Sequence, residues 1–161
     1  MRSQAADLAG PDLTIVVDVA NVMGARAGGW WRDRAGAAAR LCREVAVMAS
    51  RGLDVATLPA AGLEVVGERC FPHWVLVLEG RSREATDSAY RQDLGELDAF
   101  VNIVLAHGSG DDTIARMAAD LPGYRLVVTA DRELRARCER AGAHLAGPRW
   151  LLGLLEDVTL K

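Results

Sequence analysis

Apolar runs alternate with helical stretches along this chain, and the alternation defines its elements. Leu13 to Val17 is a continuous apolar run ending at Asp18, the signature of a strand buried on both faces. A glycine-rich loop over Gly24 to Gly29 follows, and Asp33 stands ready to cap a helix from Arg34 to Ser50. In that helix Ala38, Leu41, Val45 and Met48 recur at helical spacing, and Gly52 is a suitable stop. Trp74-Val-Leu-Val-Leu-Glu79 and Ala99 to Leu105 are two more strands, joined by a polar crossover over Arg81 to Asp93. A helix from Asp111 to Leu121 ends at Pro122-Gly123, before a strand from Tyr124 to Thr129. A helix from Arg132 to Ala141 stops at Gly142; a short strand, Ala143 to Ala146, and a helix from about Pro148 complete the chain. Strands alternating with helices predict an α/β domain with a mainly parallel sheet. Residues 1–12 are expected to be a flexible leader and 13–161 a single domain. Residues 53–72 resist assignment, because Pro59, Gly62, Gly67 and Pro72 interrupt their apolar positions.

This pattern puts carboxylates where strands run out. Asp18 ends the first strand, Glu79 the second, and Asp131 follows Val127-Val-Thr-Ala. Asp111 and Asp112 open the helix after Gly108-Ser-Gly. In a parallel sheet such positions converge on the carboxyl edge, where open α/β folds bind ligands. Crowded carboxylates repel one another unless a cation joins them, and oxygen donors suit Mg²⁺. Each acid also has a structural reading. Asp131 and one of the Asp111–Asp112 pair could be helix caps, but a cap needs only one of two adjacent acids. Asn21 is placed to orient Asp18, and Thr129 to orient Asp131 or meet a ligand. Asp33, Asp87, Asp93 and Asp98 lie in polar stretches and read as solvated.

Composition narrows the partners. The formal net charge is −3 over 161 residues, so no global basic footprint of the kind that drives non-specific nucleic-acid binding is present. A cluster of carboxylates contributes to that balance, and a bound divalent cation reverses it locally. Cys42, Cys70 and Cys138 show no Cys-x-x-Cys spacing and read as plain thiols. The first eleven residues lack a signal-peptide pattern and no apolar run is long enough to span a bilayer, so the expectation is a cytoplasmic protein without a membrane partner.

Taken in order, Asp18-x-x-Asn21-x-x-Gly24, Gly110-Asp111-Asp112-x-Ile114 and Thr129-x-Asp131-Arg132 resemble the NYN domain family, a branch of the PIN-like nucleases. The resemblance covers Val16 to Leu155 and is strongest from Gly108 onward, through Gly142-Ala-His-Leu-Ala-Gly-Pro148. It implies a three-layer sandwich, with a central sheet of order 3-2-1-4-5 flanked by helices. It also implies metal-dependent cleavage of RNA, with Mg²⁺ or Mn²⁺ held by Asp18, Asp111 and Asp131. Asp112 and Glu79 are the auxiliary candidates. Residues 53–72 are longer than that core fold needs.

Around the same edge, Arg26, Arg32, Arg81 and Arg83 could contact phosphate, Trp30 could stack on an unpaired base, and Ser109 could touch substrate. The structural alternative packs one tryptophan against the first long helix, with arginines on its face. His107 could bind substrate, while His73 and His144 read as structural. An acidic chain would reach RNA most readily through a partner, a ribosome or an RNA-bound complex. A haloacid-dehalogenase-type phosphatase and a response-regulator receiver are both disfavoured, because each needs a lysine and the only one here is Lys161. Two alternatives stay open: a nucleotide pyrophosphohydrolase, and a non-catalytic PIN-like module that binds RNA or protein.

Overall fold

The computed structural model describes residues 13–59, 63–80 and 100–159. The chain enters through β1 (Leu13–Asp18) and turns directly into helix α1 (Val19–Ala25), then a 3-10 turn, Trp30–Arg32, and the long helix α2 (Arg34–Arg51). Two short strands follow, β2 (Leu53–Asp54) and β3 (Arg69–Cys70), separated by a second 3-10 turn at Val55–Thr57. The remaining order is β4 (His73–Leu78), β5 (Val101–Leu105), α3 (Gly110–Asp120), β6 (Tyr124–Val128), α4 (Arg132–Arg140), β7 (His144–Ala146) and α5 (Pro148–Thr159).

Five strands form one sheet, β5-β4-β1-β6-β7, and every neighbouring pair in it is parallel. The expected order of 3-2-1-4-5 counted five strands in the chain. Among the described residues seven form, because Leu53–Asp54 and Arg69–Cys70 add an antiparallel pair of their own, Leu53 opposite Cys70 and Asp54 opposite Arg69. β1 is the central strand, buried at all six positions. The pleat sends Leu13, Ile15 and Val17 to one face, against Val22 of α1, Leu41 and Val45 of α2, and Leu151 of α5. Val16 goes to the other, with Val75, Val77 and Val127, against Ile114 and Ala118 of α3 and Leu134 and Cys138 of α4. The result is three layers, helix on sheet on helix. Each of the fully buried Ile15, Val16 and Val17 contributes about 1.5–3 kcal/mol of burial energy. All three cysteines are buried. Among the described residues no helix is long and apolar enough to cross a membrane.

Most boundaries fall within a residue of the sequence expectation, and two departures bear on the site. Gly24 and Ala25 belong to α1 rather than to a loop, so the loop begins at Arg26. α3 starts one residue earlier than expected, because Ser109 is its cap. The 53–72 segment is held by polar staples. Arg69 donates to the Arg51 carbonyl at 2.7 Å and pairs with Asp54 at 2.9 Å, and the Trp150 indole donates to the Thr57 carbonyl at 2.8 Å. Gly52 ends α2 at φ +76°, where an added Cβ would lie 2.9 Å from the Cys70 carbonyl oxygen.

Arg125 fastens the helices of the second layer. Its guanidinium donates to the carbonyls of Ala118, Gly123 and Ala141 at 2.9, 2.7 and 2.9 Å, joining the C-terminal ends of α3 and α4 to the start of β6. Arg125→Ala leaves three carbonyls without this partner, and the expected loss is about 2–3 kcal/mol, with Arg125→Lys recovering a minor part. Urea unfolding at constant m-value measures it. A loss below about 0.5 kcal/mol would make the staple decorative.

Candidate functional site

The carboxyl edge of the sheet is built from the ends of β1, β4 and β6 and the starts of α3 and α4. Asp18 is 6% exposed, at the last position of β1. Its Oδ1 accepts from the Asn21 backbone N–H at 3.4 Å, and its Oδ2 accepts from the Thr129 hydroxyl at 3.0 Å. Thr129 has no exposed surface, and its Oγ1 accepts in turn from the Asp131 N–H at 3.2 Å. The Asn21 side-chain carbonyl accepts from the Ala130 N–H at 2.8 Å. The strand ends are therefore sewn together in both directions. Asn21 reaches Asp18 through its backbone, and its side chain positions the loop that carries Asp131.

The second group enters from β4. Glu79, one residue past that strand, accepts from the Gly110 N–H at 2.6 Å and so holds the start of α3. A Cβ at Gly110 would lie 2.9 Å from the same carboxylate oxygen, which explains a glycine there. Ser109 caps α3 by accepting from the Asp111 N–H at 3.2 Å. Both acids of the first turn are thereby relieved of capping. Asp112 instead pairs with Arg137 of α4 at 3.0 Å. Asp131 is the cap of α4, accepting from the Leu134 N–H at 2.8 Å.

Electrostatics couple these groups. Burial pushes the Asp18 carboxyl up from 3.8 to about 6, against the lowering effect of the Thr129 and Asn21 hydrogen bonds; the charges of Glu79 and Asp111 raise it further. Burial also raises Asp111, and Asp131, Glu79 and Asp112 add to the shift while Arg137 opposes it. Asp18 thus feels Glu79 and Asp111, and Asp111 feels Glu79 and Asp131, although they come from separate stretches of the chain. Oxygen donors in mutual repulsion fit a hard divalent cation in chemistry. Their geometry is not preset: among the described residues no three Asp, Glu, His or Cys side chains are arranged to hold a metal ion. Both oxygens of Asp18 are instead engaged, by Asn21 and Thr129, and one oxygen each of Glu79 and Asp131 by Gly110 and Leu134.

The expected substrate contacts are dispersed. Arg26 is paired with Glu44 of α2 at 2.6 Å. Trp30 is partly buried against the core, with the Arg34 guanidinium 5.5 Å from its ring centroid, while Trp31 is 60% exposed. Arg32 is exposed at the end of the first 3-10 turn, and Ser109 is used as a cap. Arg81 and Arg83, with Asp87, Asp93 and Asp98, lie outside the described residues. Asp33 is exposed and caps α2 by accepting from the Gly36 N–H at 2.9 Å. Sequence reasoning overlooked the arginines of α4: Arg135 donates to the Thr129 carbonyl at 2.7 Å, and Arg137 meets Asp112. Their spacing along the helix that Asp131 opens was the available signal. Comparison with protein-family models, curated proteins and solved structures gave no match.

The raised Asp18 group fixes the sign of a pH effect. Folding favours its protonated form, so the stability it permits is fully present below pH 3.8 and declines as pH rises through about 6. The decline is of order 2–3 kcal/mol. Asp18→Asn removes the buried charge and is expected to raise Tm of the metal-free protein by about 4–8 °C at pH 7.5. At pH 4 the gain should shrink to about 2 °C or less. Thermal unfolding at both pH values checks this, and a destabilised variant at pH 7.5 would contradict it.

Proposed function

We propose that this chain is a metal-dependent endoribonuclease of the NYN branch of PIN-like domains, acting on RNA in the cytoplasm. The observation that carries the reading is the shared field of four carboxylates delivered by separate strand and helix ends, with Asp18 pushed to about 6 by burial and, secondarily, by Glu79 and Asp111. The architecture supports it as well. With the β2–β3 pair set aside, the five parallel strands run third, second, first, fourth, fifth in chain order.

In this reading Asp18, Asp111 and Asp131 hold Mg²⁺ or Mn²⁺, with Asp112 and Glu79 as auxiliaries. Bound metal supplies Lewis-acid polarisation of the phosphate and a water of lowered pKa. The chain's own residues set the stage. Thr129 and Asn21 fix the direction of Asp18 and the loop of Asp131, Glu79 anchors the helix start that carries Asp111, and Arg137 restrains Asp112. Water attacks the phosphorus in line and gives up a proton to solvent, the P–O3′ bond breaks, and the departing O3′ takes a proton from solvent, leaving a 5′-phosphate and a 3′-hydroxyl. Arg26, Trp30, Arg32, Arg81, Arg83 and Ser109 are the proposed strand contacts. For Arg26 this requires release from Glu44. A ribosome or another RNA-bound complex would bring an acidic protein to its substrate.

One observation favours a second reading. The lack of a preset three-donor arrangement among the described residues suits a non-catalytic module that binds RNA or protein. Incubation of labelled single-stranded RNA with the protein and Mn²⁺ separates the two. The nuclease reading expects cleavage that falls about 100-fold or more in Asp18→Asn and Asp131→Asn, and about 10–100-fold in Thr129→Val, which loses only the orienting hydroxyl. Cleavage that survives both aspartate substitutions would overturn this site, and cleavage absent at high enzyme concentration would leave the module.

A further inference from the structure

Beside the carboxylates lies an open cleft of about 410 Å³ between the end of β5 and one side of α3. Ser109, Asp112, Thr113, Arg116 and Met117 come from a single helical stripe, and Val104, Leu105 and His107 from the strand end opposite. Val104, Leu105 and Met117 give it apolar surface, and the other groups supply donors and acceptors. This is the composition of a pocket that takes a flat, partly polar ring: apolar contact for its face and a few polar groups for its edge. Arg116 is exposed and has no ion pair or hydrogen bond among the described residues. It is therefore available to an anion. Asp112 and Ser109 line the cleft and also belong to the start of α3, so the cleft and the acidic edge share that helix start.

We propose that this cleft holds one nucleotide of the RNA strand next to the scissile bond. The base lies against Leu105 and Met117, with its edge toward Thr113 and His107, and its phosphate meets Arg116. The proposal rests on the ribonuclease reading for the strand's direction of entry, but the cleft's affinity for a nucleotide does not depend on catalysis. It also gives the acidic chain a local cation for phosphate, remote from Arg26 and Arg32.

Two measurements test it. Methyl and amide NMR of the wild-type protein, titrated with AMP in the absence of metal, should shift the signals of Leu105, Thr113 and Met117. Arg116→Glu should abolish those shifts, whereas the same charge change at exposed Arg149 should not. In Mn²⁺-dependent cleavage of single-stranded RNA, Arg116→Glu and Thr113→Phe should raise KM about tenfold while kcat stays within about twofold. AMP shifts absent from these three residues, or equal effects of Arg116→Glu and Arg149→Glu, would overturn the cleft. Should wild type cleave and Asp18→Asn not, that overturned cleft would leave the nuclease reading standing. Should AMP shift the cleft residues while no variant or wild type cleaves, the nuclease reading falls and the nucleotide site remains.

Discussion

The hydrogen bond from Thr129 to Asp18 joins two neighbouring strand ends, and the site depends on it. β1 and β6 run parallel with Val17 opposite Val128, so the next residues of each strand meet at the carboxyl edge. A carboxylate at that point is buried by the same packing that makes β1 the central strand. Without the Thr129 hydroxyl it would carry its desolvation cost with only a long backbone contact to offset it. The single hydroxyl also accepts from the Asp131 N–H, and so it sets the distance between two acids more than a hundred residues apart in sequence. Glu79 does the corresponding task from β4, gripping the first residue of α3 and bringing Asp111 to the edge.

These contacts stabilise pieces of the fold while gathering charge that resists gathering. Asp131 caps α4, Glu79 engages the start of α3, and Asp18 caps α1, so each acid has a structural duty. Burial, and after it their mutual repulsion, still raises Asp18 and Asp111. Capping alone does not explain Asp111, because Ser109 already serves α3. An acid that neither caps nor pairs, set in the field of three others, is the feature for which a cation gives the most direct reason. Asp18, Glu79 and Asp131 would each exchange one backbone partner for that cation, whereas Asp111 has none to give up among the described residues.

Much of the frame was legible in the sequence because the relevant signals are local. The unbroken apolar run before Asp18, the helical spacing of Leu41, Val45 and Met48, and Pro122-Gly123 after α3 each specify an element without outside help. α1 was not legible. It is seven residues long, holds Gly24, has no acidic residue in its first turn, and packs Val22 and Met23 against a core that the sequence does not announce. The β2–β3 pair depends on Arg69 reaching back to Arg51 and Asp54 and on Trp150 reaching Thr57, contacts separated by 15 to 93 positions. At the site, the carboxylates could be named from their positions at strand ends, but the division of labour could not. Asp111 and Asp112 are equal candidates for a cap in one dimension; only in three dimensions does Ser109 take that duty and Arg137 draw Asp112 aside.

The central claim is that Asp18, Glu79, Asp111 and Asp131 form one cation-binding edge. Paramagnetic broadening of backbone amides on addition of Mn²⁺ tests it most directly. The account expects selective loss of the Val19, Gly110, Asp111 and Asp131 amide signals at low Mn²⁺, and their persistence in an Asp18→Asn, Asp111→Asn double variant. Broadening confined to other acidic surfaces, or unchanged by the double variant, would contradict it.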